Sequence, residues 1–421
     1  MNVIANLPML LRATALLVLG IVIGGQVNRG IYRLAWDKRS IGPWSRPHAD
    51  APPRRWYDRI PLFGWLTLRR ESFIHGAAFW VRPLAIELSC GIGFATLYWW
   101  ETAGQLVPPA PGLGPTDIAD LHAQCLSHLI LISLMVVATF IDIDEQLIPD
   151  EITVPGTLAG LSLAAMLPAS LLPVPVRAIP AGNAVGNLVL TSPLRWPPWL
   201  NDTDGLAIGL ACFGFWCFAI LPKTWWTRDG LARAFRFLTA SMIRYSSRWH
   251  RIGLPLVACV IVGVWLWCGD RQWHALLSSL IGVAFGSGLV WLVRVVGTAA
   301  LGREAMGFGD VTLMAMIGSF VGWQASMMTF FLAPFTGVVI AVVQWLLTRR
   351  KDIAFGPFLC MAALVVMVCW ARLWGDWGGI FELGWYIPAI VCVCIILMGG
   401  MLLAWRAFSA WVSGPARHAS D

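Results

Sequence analysis

Two aspartates, Asp142 and Asp310, stand where long apolar segments meet short acidic ones. Asp142 follows the apolar run 135–141 without a polar break, and Asp310 precedes the apolar run 311–317 in the same way. A carboxylic acid in the first or last turn of a membrane span is costly and is more often functional than structural. These two acids are therefore the first candidates for chemistry in this chain.

Two carboxyl groups held within a few ångströms of each other are the machinery of aspartyl proteolysis. Because like charges at that distance oppose double ionisation, such a pair shares one proton. One group then acts as general base on a water molecule, while the other donates a proton to the scissile carbonyl. Gly307 and Gly309 leave the backbone beside Asp310 without side chains, which lets an extended peptide approach closely.

The G-x-G-D tetrapeptide at positions 307–310 also has plainer explanations. A glycine-rich turn before a helix would produce it, and an acid at a helix N-terminus interacts favourably with the helix dipole. Paired acids also serve as proton or cation sites in transporters, although such sites usually lie near mid-bilayer and not at the rim. These four residues alone leave a peptidase, a transporter and a structural turn open.

The rest of the chain has the composition of a membrane protein. Of its 421 residues, 58% are hydrophobic and only 13% are charged, against about 25% charged in soluble domains. This excludes an ordinary cytosolic globule, a disordered chain and a collagen-like rod, and it predicts an all-α, polytopic transmembrane helical bundle. Segments of sufficient length predict about eleven spans, at 8–28, 84–100, 123–141, 152–172, 205–221, 253–268, 275–293, 311–322, 325–347, 357–374 and 385–405.

Basic residues are concentrated in three loops, which sets the expected orientation. Segments 29–82, 222–252 and 348–356 carry most of the 30 lysines and arginines, whereas 101–122 and 375–384 carry none. Because positive loops stay in the cytoplasm, we expect the N-terminus outside, the C-terminus inside and both aspartates at the cytoplasmic face. Topology then explains the net charge of +7, so we expect contact with membrane lipid and no nucleic-acid partner.

Several sequence blocks, in order along the chain, resemble the signatures of prepilin peptidases (type IV leader peptidases), which are GxGD membrane aspartyl proteases. Asp142 with LIPDEITVP at 147–155 resembles their first aspartate signature, and EAMGFGDVTL at 304–313 is similar to their second. FGPFL at 355–359 and NRGIYRL at 28–34 look like further blocks of the same family.

The resemblance implies a bacterial inner-membrane endopeptidase that cleaves the leader from type IV prepilins or pseudopilins at the cytoplasmic face. It assigns Asp142 and Asp310 as the catalytic pair and needs no cofactor for proteolysis. The positions that match its catalytic-loop support are Gly307, Gly309, Pro149 and Asp150. Many members also methylate the new N-terminus with S-adenosylmethionine, and Glu87 matches a position linked to that methylation.

The chain departs from the family pattern in three places. Segment 29–82 has no cysteine where the family usually carries zinc-binding C-x-x-C pairs, so no zinc is expected. Thr312 stands in place of a family lysine. The two aspartates are 168 positions apart, a separation that two additional spans at 205–221 and 253–268 would explain. An even number of inserted spans preserves the downstream orientation. These departures keep open a catalytically silent relative that assists pilus or secretion assembly.

These expectations divide the chain into six segments. In order, they are a first span (1–28), a basic cytoplasmic loop (29–83), spans carrying Asp142 (84–172), an inserted outer loop with two extra spans and a basic cytoplasmic loop (173–274), spans carrying the GxGD motif (275–374), and an additional span with the C-terminal tail (375–421).

Overall fold

The protein is almost entirely helical, as the sequence predicts. The computed structural model describes residues 7–39, 41–114, 116–178, 182–220, 252–348, 354–384 and 386–413. The helices within these ranges are α1 (Met9–Leu34), α2 (Phe63–Leu68), α3 (Ser72–His75), α4 (Val81–Thr102), α5 (Ile118–Glu145), α6 (Asp150–Met166), α7 (Thr203–Ile220), α8 (Leu254–Trp267), α9 (Asp270–Leu301), α10 (Phe308–Thr348), α11 (Gly356–Val368), α12 (Trp370–Trp377) and α13 (Tyr386–Ser413).

The described residues also contain one two-stranded sheet, which lies in the segment predicted as an outer loop. Strand β1 (Pro173–Ala178) pairs antiparallel with β2 (Gly182–Asn187), with Pro173 opposite Asn187. The predicted basic loop 222–252 lies outside the described residues except for its last position, as does the C-terminal tail beyond 413.

The predicted number of spans is not confirmed. Within the described ranges, six helices are long and apolar enough to cross a membrane, or seven if the bent pair Gly356–Val368 and Trp370–Leu383 counts as one span. The 17 residues of α6 and the 14 residues of α8 fall short of the usual length. Helix α4 carries Glu87 and Glu101 within its apolar sequence. Helix length and composition therefore support only some of the predicted transmembrane spans.

Helix α10 changes direction at Gly322, whose φ of 78° is accessible mainly to glycine. Before the break, Asp310 lies near Asp142. After it, Thr336 Oγ1 donates to the carbonyl of Phe358, close to the same end of the bundle. We call this end, marked by Asp142 and Asp310, the aspartate face, and the end that carries the β-hairpin the opposite face. The predicted spans 311–322 and 325–347 correspond to the two arms of α10.

The first arm of α10 packs closely against α9 because both helices present glycines at their contact. A Cβ atom on Gly282 would lie 2.1 Å from the carbonyl oxygen of Gly318, and one on Gly286 would lie 2.7 Å from that of Met314. Small residues of this kind let two membrane helices approach backbone to backbone. The arm that carries Asp310 is therefore held against a second long helix.

At the opposite face, several tryptophans fasten the 173–201 segment to the helices. Their indole N–H groups donate to backbone carbonyls over 2.7–2.8 Å, in the pairs Trp370 to Pro173, Trp323 to Leu190, Trp273 to Leu200 and Trp265 to Asn201. Beside Trp323, the Gln324 side-chain amide donates to the same Leu190 carbonyl and to those of Val189 and Ser192. These bonds account for part of the high tryptophan content and fix the turn of α10.

Candidate active site

The aspartate face opens into a cavity of about 900 Å³ that contains both predicted aspartates. Residues from four further stretches line it, at 34–38, 146–151, 305–309 and 354–355. The volume lies within the range of about 300–1,000 Å³ that is usual for ligand sites. The carboxyl groups of Asp142 and Asp310 interact electrostatically within it.

Asp142 is in the last turn of α5 and is only 5% exposed. Its Oδ2 accepts a hydrogen bond of 3.0 Å from the backbone N–H of Gly356. Helix α5 ends because Gln146 adopts the left-handed conformation and donates its N–H to the Asp142 carbonyl. Pro149 then caps the N-terminus of α6, so the acid-rich stretch forms a short turn beside the cavity.

Asp310 is the third residue of α10 and is 7% exposed. A Cβ atom on Gly307 would lie 3.6 Å from Asp310 Oδ2, so the residue borders the carboxyl group directly. Thr312, which replaces the family lysine, is buried and donates its hydroxyl to the carbonyl of Gly309.

Ile148 is the point where the three stretches around the aspartates meet. A Cβ atom on Gly309 would lie 2.9 Å from Ile148 Cβ and 3.2 Å from its backbone nitrogen. A Cβ atom on Gly356 would lie 2.9 Å from Ile148 Cδ1 and 2.5 Å from Asp142 Oδ2. The two glycines therefore allow the turn after α5, the loop before α10 and the start of α11 to close around the cavity.

The remaining wall is the end of α1, which is tied to the end of α5 by charged groups. Glu145 accepts the backbone N–H groups of Trp36 and Asp37 over 2.7 and 3.0 Å. Asp144 forms an ion pair of 3.8 Å with Arg39, which follows α1, and a second pair with Arg82 of α4, with distances of 2.8 and 3.0 Å to its two carboxylate oxygens. The Trp36 side chain is thereby left exposed at the edge of the cavity.

Six of the seven predicted site residues line this one cavity, namely Asp142, Asp310, Gly307, Gly309, Pro149 and Asp150. Their catalytic roles stay predictions. Sequence reasoning missed the contributions of Gly356 and Ile148, although both belong to motif blocks that carry the family resemblance. It also missed Glu145 as the residue that holds the end of α1. The signal for Glu145 was its position three residues after Asp142, on the turn that closes α5.

Glu87, the seventh residue, lies apart from this cavity and holds a loop in place. It is 2% exposed. Its carboxylate accepts the backbone N–H of Leu62 over 2.5 Å, the indole N–H of Trp65 over 2.8 Å and the side-chain amide of Asn28 over 3.4 Å. Leu62 has a φ of 64°, which is uncommon for a residue with a side chain. Glu87 therefore stabilises a strained turn of the 29–83 loop.

This environment does not fit S-adenosylmethionine. The space beside Glu87, Asn28 and Trp65 has a volume of about 20 Å³, far below the several hundred that a cofactor of this size requires. Three donors already occupy the carboxylate. We therefore derive no step through the cofactor at Glu87.

The 29–83 loop is organised by two more buried acids. Asp58 accepts hydrogen bonds from the backbone N–H of Arg55 and the hydroxyl of Thr67, both over 2.7 Å, and from the guanidinium of Arg70 over 2.5 Å. Glu71 forms an ion pair of 2.6 Å with Arg54. Within the described ranges, no three His, Cys, Asp or Glu side chains are grouped to hold a metal ion.

Asp58 also has a perturbed acidity. Burial alone would raise the pKa of its carboxyl group. The hydrogen bonds from Arg55, Thr67 and Arg70, together with the Arg70 charge, outweigh burial and hold the pKa of Asp58 below its ordinary value. Its ionised form is therefore part of the loop structure.

The fold and the cavity define a class of protein, a polytopic membrane protein in which two helices bring carboxyl groups into one cavity. Two family models match this chain, the Bacterial Peptidase A24 N-terminal domain over residues 18–101 and the Type IV leader peptidase family over residues 248–342. Asp310 lies inside the second match, and Asp142 lies between the two. The chain belongs to the type IV leader peptidase, or prepilin peptidase, family.

Similar proteins in other bacteria carry the name prepilin leader peptidase/N-methyltransferase. The Myxococcus xanthus protein is 35% identical over 153 residues, which are 36% of this chain and 40% of that protein. The Stutzerimonas stutzeri protein is 23% identical over 387 residues, covering 86% of this chain and 90% of its own length. The Escherichia coli protein is 29% identical over 168 residues, or 38% of this chain and 69% of that protein. No solved structure matches this chain.

Proposed function

We propose that this chain is a bacterial inner-membrane aspartyl endopeptidase that removes the leader peptide of type IV prepilins or pseudopilins. Asp142 and Asp310 are its catalytic pair, and the aspartate face is the cytoplasmic one. The family and the names of the relatives support the substrate class. The distribution of basic loops supports the orientation.

One observation carries the proposal. Two nearly buried carboxyl groups, 168 positions apart in the sequence, line one cavity and interact there. Within the described residues, neither group forms an ion pair with a basic side chain that would give it a structural role. A pair of that kind shares a proton. It is then equipped to act as base and acid at once.

In the proposed reaction, the two carboxyl groups act as general base and general acid. The ionised carboxylate removes a proton from water as the water oxygen adds to the scissile carbonyl, while the protonated carboxyl gives its proton to the carbonyl oxygen. The C–N bond then breaks as the leaving amine takes a proton from one carboxyl group, and a hydroxyl of the tetrahedral intermediate gives its proton to the other, which restores the singly protonated pair. The N–H of Gly356 fixes Asp142 Oδ2, so the pair holds its orientation through the cycle.

Two other functions fit the observations less well. A transporter with the aspartates as ion sites would place them near mid-bilayer, whereas Asp142 ends α5 and Asp310 begins α10. A silent assembly factor has no need of a shared, nearly buried carboxyl pair. The family name of the relatives also includes N-methylation, which the space beside Glu87 does not favour at that residue.

Leader cleavage tests the proposal directly. The chain is co-expressed with each prepilin-like protein of its host, and the intact mass of each product is compared between wild type, Asp142→Asn and Asp310→Asn. Asp376→Asn, at an exposed acid of the opposite face, is the matched control. We expect cleavage by the wild type and the control, and a loss of at least about 10³-fold in both variants.

The same masses decide among the alternatives. A methyl group on the new N-terminus would establish methylation, without locating the residues that bind the cofactor. Cleavage that persists in Asp142→Asn or Asp310→Asn would contradict the catalytic pair. If the wild type leaves every leader in place while pilus or secretion assembly depends on the protein, the assembly-factor function is correct.

A further inference from the structure

The loop that leads into Asp310 lies folded against the last turns of α9. Gly302 ends that helix in the left-handed conformation, with a φ of 70°, and donates its N–H to the Thr298 carbonyl over 2.9 Å. The N–H of Ala305 donates to Thr298 Oγ1 over 3.2 Å. A Cβ atom on Gly297 would lie 2.9 Å from Ala305 Cβ, so the loop and the helix are in close contact.

One side chain of α9, Arg294, reaches two residues of this loop and the first residue of α10. Its Nε donates to the Met306 carbonyl over 2.9 Å, and its Nη2 donates to Glu304 Oε1 over 2.6 Å. Its guanidinium lies 5.8 Å from the ring centroid of Phe308, the first residue of α10. The contacts therefore fall on both sides of Gly307.

We propose that Arg294 is a positioning residue that fixes the loop before Asp310 in the conformation required for cleavage. This inference rests on the proposed function. Glycine gives Gly307 and Gly309 more backbone freedom than any other residue, so the loop needs an external constraint. The planar guanidinium is pre-organised to bind two acceptors at once. One of these acceptors is the carbonyl of Met306, immediately before Gly307.

The Met306 contact, and not the Glu304 ion pair, is the one that positions the loop. Glu304 is 64% exposed, and exposed ion pairs contribute little to stability. The bond to Met306 is partly buried and holds the main chain itself. A displacement of about 1 Å in a catalytic group costs roughly 10²-fold in rate. Loss of the Met306 contact should therefore lower kcat and leave KM nearly unchanged.

The experiment uses the full chain, purified in detergent, with a prepilin that the wild type cleaves. The variants are Arg294→Gln, Arg294→Lys and Glu304→Gln, and the matched control is Arg271→Gln, at an arginine near the other end of α9 that is 61% exposed. We expect Arg294→Gln and Arg294→Lys to lose roughly 10²-fold in kcat with little change in KM or Tm. Lysine should fail because it keeps the charge but has no donor at the position of Arg294 Nε, which bonds the Met306 carbonyl. Glu304→Gln and Arg271→Gln should stay close to wild type.

A second measurement keeps the inference testable without catalysis. Hydrogen exchange of the amides at 303–309 should be faster in Arg294→Gln than in wild type, with no change at the opposite face. Unchanged exchange or full activity in Arg294→Lys would overturn the inference. So would a loss of kcat in Arg294→Gln that is accompanied by a large fall in Tm, since that would indicate general destabilisation. A wild type that cleaves no prepilin would contradict the proposed function alone, and the exchange result would still decide the role of Arg294.

Discussion

At the residue scale, glycines set how closely the two aspartate-bearing stretches approach. Gly309 and Gly356 both contact Ile148, and neither leaves room for a side chain. Neither has a positive φ, so the constraint at these positions is space and not backbone conformation. Gly307 differs, since a methyl group there would make an ordinary contact with the Asp310 carboxyl group.

Gly309→Ala should therefore reduce leader cleavage by roughly 10²-fold, because the new methyl group pushes the loop away from Ile148 by a few tenths of an ångström or more. Gly307→Ala should cause a smaller loss. The control is Gly93→Ala, where nothing lies within 4 Å of the new methyl group. Initial rates with purified protein provide the measurement, and equal losses in Gly307→Ala and Gly309→Ala would contradict the packing argument.

Glu87 is predicted to act through folding. Glu87→Gln places a donor where three donors already converge, so we expect a loss of about 1–3 kcal/mol in the free energy of unfolding. Leader cleavage at low temperature should persist. Denaturant titration in detergent measures the change, with Glu382→Gln as an exposed control. Unchanged stability together with loss of methylation would restore Glu87 as a cofactor contact.

The aspartates could be predicted from the sequence because each one interrupts an apolar run, which is a rare and costly event. The motif blocks then predicted which neighbours share their cavity. The hydrogen bond from Gly356 to Asp142 could not be predicted in this way. Every residue except proline carries a backbone N–H, so the sequence does not mark the one that a carboxylate accepts.

At the scale of elements, the 29–83 loop is built around carboxylates instead of thiolates. Asp58, Glu71 and Glu87 are all buried, and each accepts hydrogen bonds from the loop or its flanking helices. The sequence shows that this loop lacks the family's cysteines, but it does not show which groups hold the loop together. In an arginine-rich sequence, acidic residues are expected to be solvated charges. Their burial could not be predicted because their hydrogen-bond partners lie up to 59 positions away.

Asp58 makes the stability of this loop depend on pH. Since the pKa of Asp58 is lowered in the folded chain, its stabilising contribution is present above the unfolded value of about 3.9. It is lost as the pH falls through the lower folded value. Asp58→Asn should cost about 2 kcal/mol near neutral pH, and the difference from wild type should shrink below about pH 4.

Unfolding of both proteins at several pH values checks this prediction, with Asp50→Asn as the control at an exposed acid of the same loop. A difference between wild type and Asp58→Asn that stays constant down to pH values near 3 would contradict the role of the ionised carboxylate.

Span prediction illustrates a second limit of the sequence. Apolar segments were found correctly, but their crossing of a membrane depends on length and bending that composition does not reveal. The turn at Gly322 is one example: the predicted boundary between 322 and 325 matches it, but the contacts of Trp323 and Gln324 that fix it could not be predicted. The 83° bend between α11 and the residues from Trp370 to Leu383 is another.

At the scale of the whole molecule, the two faces have different construction. Charged and glycine-mediated contacts assemble the aspartate face, whereas tryptophan and glutamine bonds to carbonyls assemble the opposite face. The helices between them link the two, since the first arm of α10 runs from Asp310 to the turn that Gln324 fixes. The position of Asp310 therefore depends on contacts made at both ends of the bundle.

The shortness of that arm has a consequence for the surrounding bilayer. From Phe308 to the break at Gly322 the helix rises about 21 Å, and α8 is equally short, whereas a typical hydrocarbon core is about 30 Å thick. The first arm is buried among other helices, so the bilayer must thin beside α8, or water must reach Asp310 through the cavity. We therefore expect leader cleavage in reconstituted vesicles to be faster with short acyl chains than with long ones at the same fluidity. Equal rates across chain lengths would mean that neighbouring helices absorb the mismatch. Faster cleavage with short chains would mean that membrane thickness controls how readily water reaches Asp142 and Asp310.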